Sequence, residues 1–157
     1  MDSFSKTVYL FVSTFALLLY SCNKSENDVI PDVYVDFKID LLDPEFVGLS
    51  VIDASDTIDS QTNNWGYKSA GYDNNGIIIY RGPEEYFAYD RTCPHDYAVN
   101  GLSIKIKINS GIAVCPECGT AYSLSTYGVP ASGIGKYSLK NYKTSFDGIR
   151  YITVWNQ

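Results

Sequence analysis

Apolar and polar positions alternate from residue 33 onward: Val33, Val35, Phe37 and Ile39 fall on one face and polar residues on the other, the period of a half-buried strand. Val47, Leu49 and Val51 repeat that period and predict a second strand. Residues 53–75 are rich in Asp, Ser, Thr, Asn and Gly, which predicts a long surface excursion, with Trp65, Tyr67 and Tyr72 pinning it to the core. Asn74-Asn75-Gly76 is a turn signal that launches the continuous apolar run Ile77-Ile78-Ile79-Tyr80. Gly82-Pro83 turns the chain and residues 86–89 return it, so this hairpin delivers Cys93.

Ile104, Ile106 and Ile108 alternate with Lys105 and Lys107, a strand with one wet face whose lysines guard an edge. Residues 112–114 then deliver Cys115 from a neighbouring strand. Three glycines and Pro130 make 128–135 an irregular loop. Tyr137, Leu139 and Tyr142 predict a further strand, Asp147-Gly148 a hairpin turn and residues 149–155 the last strand. No stretch longer than about ten residues carries a helical stripe, and no internal repeat is visible. The pattern is that of an all-β chain.

The N-terminus differs in kind. Lys6 precedes an apolar run over 8–20, short for a membrane span, and the run ends in Leu19-Tyr20-Ser21-Cys22. That ending resembles a bacterial lipoprotein cleavage box, which implies a signal peptide over 1–21 and lipid on Cys22; a cleaved secretory signal without lipid, or an uncleaved anchor, are the alternatives. Residues 22–31 are polar and acidic and predict a flexible tether, leaving 32–157 as the domain. All of these readings place the domain outside the cytoplasm.

Charge narrows the partners. The 157 residues carry a net charge of −6, and losing 1–21 removes one Asp and one Lys and leaves it unchanged, so there is no electrostatic basis for binding nucleic acid. Fourteen tyrosines and twelve glycines favour strands and turns over helices.

Candidate chemistry is confined to two short stretches. The one histidine and every cysteine beyond Cys22 lie in Cys93-Pro94-His95 and Cys115-Pro116-Glu117-Cys118-Gly119-Thr120-Ala121-Tyr122. Three thiols and an imidazole can close a tetrahedral zinc site or hold a small iron–sulfur cluster. A third reading is a Cys115–Cys118 disulfide with no metal. Spacing alone leaves all three open.

The loops resemble the cluster-binding loops of Rieske iron–sulfur proteins, in which C-x-H is followed by C-P-x-H-G-S-x-Y or -F. The text CPECGTAYSLSTYGVPASGIGKYSLKNYKTSFDGIRYITV is similar to the second loop, its following strand, a cover loop and a final hairpin, and GIIIYRGPEEYFAYDRTCPH to the hairpin before the first loop. The likeness spans roughly residues 76–154. It implies a Rieske-like antiparallel β sandwich or barrel with a small two-loop subdomain, loops 93–97 and 115–122. It further implies a 2Fe-2S cluster, with Cys93 and Cys115 on one iron and His95 and Cys118 on the other, and a cover loop at 128–135.

Cys118 departs from that pattern, standing where the family has its second histidine. A thiolate in place of a neutral imidazole adds negative charge and lowers the reduction potential. The resemblance also places the hydroxyls of Thr120 and Tyr122 beside the sulfurs, where donors raise the potential. The extra cysteine pair of high-potential members is missing, Glu117 occupying one of its positions.

Catalytic signals are few. No Ser/His/Asp or Cys/His dyad remains once His95 is a ligand, no phosphate-cradling loop appears, and Cys115-x-x-Cys118 lacks the helical α/β setting of a thioredoxin dithiol. The expectation is a membrane-anchored protein that passes single electrons to a redox partner rather than a stand-alone enzyme. The alternative is a non-redox binding or structural module with zinc or no metal.

Overall fold

The computed structural model describes residues 29–109 and 111–156, and the expected signal peptide, Cys22 and most of the expected tether lie outside them. Among the described residues ten strands form two antiparallel sheets, and the fold is all-β. The smaller sheet runs β5 (Lys107–Asn109), β6 (Ile112–Val114), β7 (Ala121–Ser123) and β8 (Val129–Ser132).

The large sheet is built from β1 (Asp36–Asp40), β2 (Ser55–Ile58), β3 (Ile77–Arg81), β4 (Tyr86–Asp90), β9 (Asn141–Phe146) and β10 (Tyr151–Trp155), in the order β1-β10-β9-β4-β3-β2. It curls at β9, whose first two residues pair with β4 (Asn141 with Tyr89, Tyr142 with Ala88) while Lys143 to Phe146 pair with β10. One core fills the concavity, gathering Phe37, Ile39, Leu49, Ile77, Ile79, Tyr86, Ala88, Ile152 and Val154. The opposite faces of β3 and β4 meet a second core, where Ile78, Tyr80 and Tyr89 pack with Cys93, Ile106, Cys115 and Tyr122. Two cores on two faces explain the unbroken apolar run of β3, since neither side of that strand meets water.

Several segments differ from their sequence pattern: the strands expected on 104–108, 137–142 and 149–155 start later, at Lys107, Asn141 and Tyr151, and three other stretches change type. Residues Val47–Ser50 form a 3-10 turn, not a strand. Phe46 and Leu49, three apart, are buried while Val47 and Val51 are exposed, so the working period is three and not two. Within 53–75 the chain inserts β2 on the sheet edge and then three 3-10 turns. Trp65 stacks on Phe37 and Phe46, whereas Tyr67 is exposed. Within 128–135, Val129–Ser132 form β8, paired to β7 across a bulge. Pro130 is tolerated because β8 is an edge strand.

The folded part reaches back to Ile30, which is buried, and its carbonyl accepts a hydrogen bond from the buried Lys140 ammonium at 2.9 Å. No helix among the described residues is long and apolar enough to cross a membrane.

Candidate metal centre

Cys93 stands where β4 runs out. Beyond Asp90 the chain keeps a strand-like course against 104–106, with Cys93 N–H donating to Ile104 C=O at 2.8 Å and Ile106 N–H to Arg91 C=O at 2.7 Å. Buried Asn75 donates from its amide to Thr92 Oγ1 at 2.8 Å and to Ser103 Oγ at 2.9 Å, tying both sides of the loop to the turn before β3. Asp90, fully buried, accepts from the Thr92 and Tyr72 N–H groups and from the Tyr142 hydroxyl.

The chain then winds into a helix, α1 (Pro94–Asn100), with Cys93 as its N-cap and proline in the first turn. Gly101 ends it in the left-handed region at φ 67°, and its N–H and that of Leu102 return to the carbonyls of Tyr97 and Asp96. At seven residues the helix is too short to show a stripe, although its proline start and glycine stop stand in the sequence.

The second loop joins β6 (Ile112–Val114) to β7 (Ala121–Ser123), which are paired through Val114 and Ala121. Cys115 N–H donates to Thr120 C=O at 2.9 Å, and Gly119, at φ 71°, donates to Cys115 C=O at 3.1 Å.

The two loops bring Cys93, Asp96, Cys115 and Cys118 together, each offering one donor atom within 4.8 Å of the others. The sulfurs of Cys93 and Cys118 are 3.7 Å apart. Cys115 donates its thiol proton to Asp96 Oδ2 at 2.9 Å. Burial pushes the Cys93 thiol up to about 11, against the nearby Asp96 N–H and Tyr122 hydroxyl, which favour the thiolate. Burial, followed by the Asp96 carboxylate, also raises Cys115. Burial works against the charge of Asp96, yet the thiols of Cys115, Cys93 and Cys118 and the proximity of His95 hold it below the usual carboxylate range.

This donor set fits a thiolate-bound metal. Metal–sulfur bonds of about 2.3 Å in a tetrahedron put sulfurs about 3.8 Å apart, close to the Cys93–Cys118 separation. Because the buried thiols hold their protons, a metal would have to displace them.

His95, expected among the ligands, lies half-buried in the first turn of α1, and neither ring nitrogen joins the four-donor group. The group includes instead Asp96, for which no role is read from the sequence. One signal for it was present: Cys93-Pro94-His95-Asp96 and Cys115-Pro116-Glu117-Cys118 place a donor at the first and fourth positions of the same four-residue frame. Thr120 Oγ1 accepts from Cys118 Sγ at 3.2 Å, and the Tyr122 hydroxyl lies 3.3 Å from Cys93 Sγ. Gly135 N–H donates to Thr120 Oγ1 at 2.9 Å, so the segment after β8 packs on the second loop.

No family model matches the chain, and no curated protein does. Among solved structures, the ferredoxin of carbazole 1,9a-dioxygenase from Nocardioides aromaticivorans IC177 is similar at 13% identity with a TM-score of 0.44, covering 78% of this chain and 99% of that one.

Proposed function

We propose that this chain is an extracytoplasmic electron-transfer protein whose two loops bind iron through cysteine sulfur; the loop text implies a 2Fe-2S cluster, while the 3.7 Å approach of Cys93 and Cys118 suits two sulfurs on the same metal rather than on different irons. The observation that carries the reading is the convergence of three cysteine sulfurs, from two loops that are separate in the sequence, on one largely buried point. Iron held by thiolates supplies a one-electron couple whose potential follows charge, hydrogen bonds and solvent access.

The chain's own groups serve that use. Cys93 and Cys115 are fully buried and Cys118 is partly exposed, so one side of the site faces outward, where a redox partner can approach. Thr120 and Tyr122 set hydroxyls against the sulfurs of Cys118 and Cys93. Once a metal has taken the thiol protons, each hydroxyl can only donate, which stabilises the more negative, reduced state. Lipid on Cys22, outside the described residues, would hold the domain at a bacterial membrane.

Zinc is the second reading, favoured by how tightly the four donors gather: a span of 4.8 Å suits a single ion. Purification of the full chain without oxygen, followed by metal and acid-labile sulfide analysis and visible spectra, separates the two. A red-brown protein with iron that bleaches on reduction supports electron transfer; a colourless protein with one zinc overturns it.

A further inference from the structure

We infer that Asp96, not His95, is the fourth protein donor of this centre, an assignment that rests on the metal-binding reading above and holds for iron or zinc. Three arguments support it, from backbone, burial and direction.

The two loops share one backbone return after their first cysteine, although the first goes on as helix α1 and the second closes at Gly119. In the first, Tyr97 N–H returns to Cys93 C=O at 3.2 Å; in the second, Gly119 N–H returns to Cys115 C=O at 3.1 Å. Asp96 is thus the counterpart of Cys118, and both present a donor atom to the same point. His95 is the counterpart of Glu117, which is exposed.

Burial gives the second argument. Asp96 is 2% exposed, and among the described residues no lysine or arginine pairs with it. While the thiols of Cys115, Cys93 and Cys118 are protonated they donate to this carboxylate and favour its charge; once a metal takes those protons the carboxylate loses its donors and faces thiolates, a cost offset by a bond to the metal. A metal ion at the meeting point of the three sulfurs supplies the missing positive charge, and a carboxylate oxygen is an ordinary ligand for it.

Position gives the third. One residue along a helix turns a side chain by about 100°, so neighbours in α1 cannot both face the sulfurs. The Asp96 oxygen is 2.9 Å from Cys115 Sγ, whereas His95 contributes no nitrogen to the group.

The test compares Asp96→Ala, Asp96→Cys and His95→Ala with wild type in the full chain, reading metal per chain, the visible or cobalt-substituted spectrum, circular dichroism, and pulsed EPR of the reduced iron form. Asp96→Ala is expected to cut metal retained after dialysis against chelator at least tenfold. Asp96→Cys should keep metal with stronger sulfur-to-metal charge transfer, and His95→Ala should match wild type in both. If Asp96→Ala does not fold, Asp96→Cys decides, because an added thiolate ligand changes the spectrum and a non-ligand cysteine does not. Metal loss in His95→Ala with retention in Asp96→Ala, an unchanged spectrum in Asp96→Cys, or a directly bonded nitrogen coupling in wild type would each overturn the assignment and leave metal binding standing. Zinc in place of iron defeats electron transfer only, with the same variants read by zinc content. Wild type that takes neither metal defeats both.

Discussion

The thiol of Cys115 donates to the carboxylate of Asp96 at 2.9 Å, joining two buried groups nineteen positions apart. Among the described residues Cys93, Cys115 and Cys118 are free, so no disulfide between these three ties the loops. Metal removal is therefore expected to raise amide hydrogen exchange in 93–97 and 115–122, while β3, β4 and β10, with their buried apolar residues, stay protected. Exchange followed by mass spectrometry with and without chelator checks this; identical protection in both loops would count against metal as their clasp.

Tyr122→Phe removes the hydroxyl 3.3 Å from Cys93 Sγ and leaves the ring in the second core. The fold should lose only about 1 kcal/mol. The reduction potential of the iron form should fall, because the reduced state loses a donor. Protein-film voltammetry on the variant reads the shift, and a raised potential would contradict the role given to the hydroxyl.

Gly133 has φ 95°, and a Cβ there would sit 2.7 Å from the Cα of Thr120. Backbone cannot yield as a flexible side chain can, so Gly133→Ala should cost about 1–3 kcal/mol and push Thr120 away from Cys118. Chemical denaturation measures the first effect, and the visible spectrum of the metal form reports the second. By contrast Gly148→Ala, with φ 83° but nothing within 4 Å, should be strained by its backbone alone and leave the spectrum unchanged.

Asp90→Ala would strand two backbone N–H groups and the Tyr142 hydroxyl inside the protein. We expect a loss of about 3 kcal/mol or more, since each unpaired buried donor costs about 1–3 kcal/mol. Because Thr92 precedes Cys93, metal retention should fall as well. Tyr142→Phe, which leaves the other two donors paired, should be milder on both readouts in urea melts and metal analysis.

Acid should weaken the β9–β10 hairpin first. The N–H groups of Arg150, Tyr151 and Ile149 hold Asp147 below the usual carboxylate range, and the Arg150 guanidinium does the same for Asp40. A carboxylate depressed in the folded state stabilises at pH above its unfolded value, and that contribution is lost as pH falls through the folded one. Melting temperature should therefore be flat near neutrality and drop below about pH 4. Asp147→Asn should flatten the acid limb, and a variant as acid-sensitive as wild type would show the hairpin is not involved.

Much of the scaffold was legible in the order of residues. The alternation of Phe37 and Ile39 and the run from Ile77 to Tyr80 specify strands wherever they are placed, because a period of two is a local property; the turn signal at Asp147-Gly148 marks the last hairpin, though its loop spans 147–150. Residues 47–51 misled because two apolar periods fit the same letters, and only contact with the core selects Phe46 and Leu49. Helix α1 was hidden by its brevity, and β8 by a proline that only an edge strand accepts.

The three cysteines announced themselves by type, since thiols gathered in two proline-bearing loops have few other uses. Which neighbour completes the set was not in the letters: His95 and Asp96 stand side by side and both are credible donors. The structure gathers the Asp96 carboxylate with the three sulfurs, and the assignment of Asp96 over His95 as ligand rests on the rotation of one residue along α1 and on the depth of that turn. Direction and burial are properties of the packed chain, and they arise only when the end of β4 and the β6–β7 hairpin close on each other.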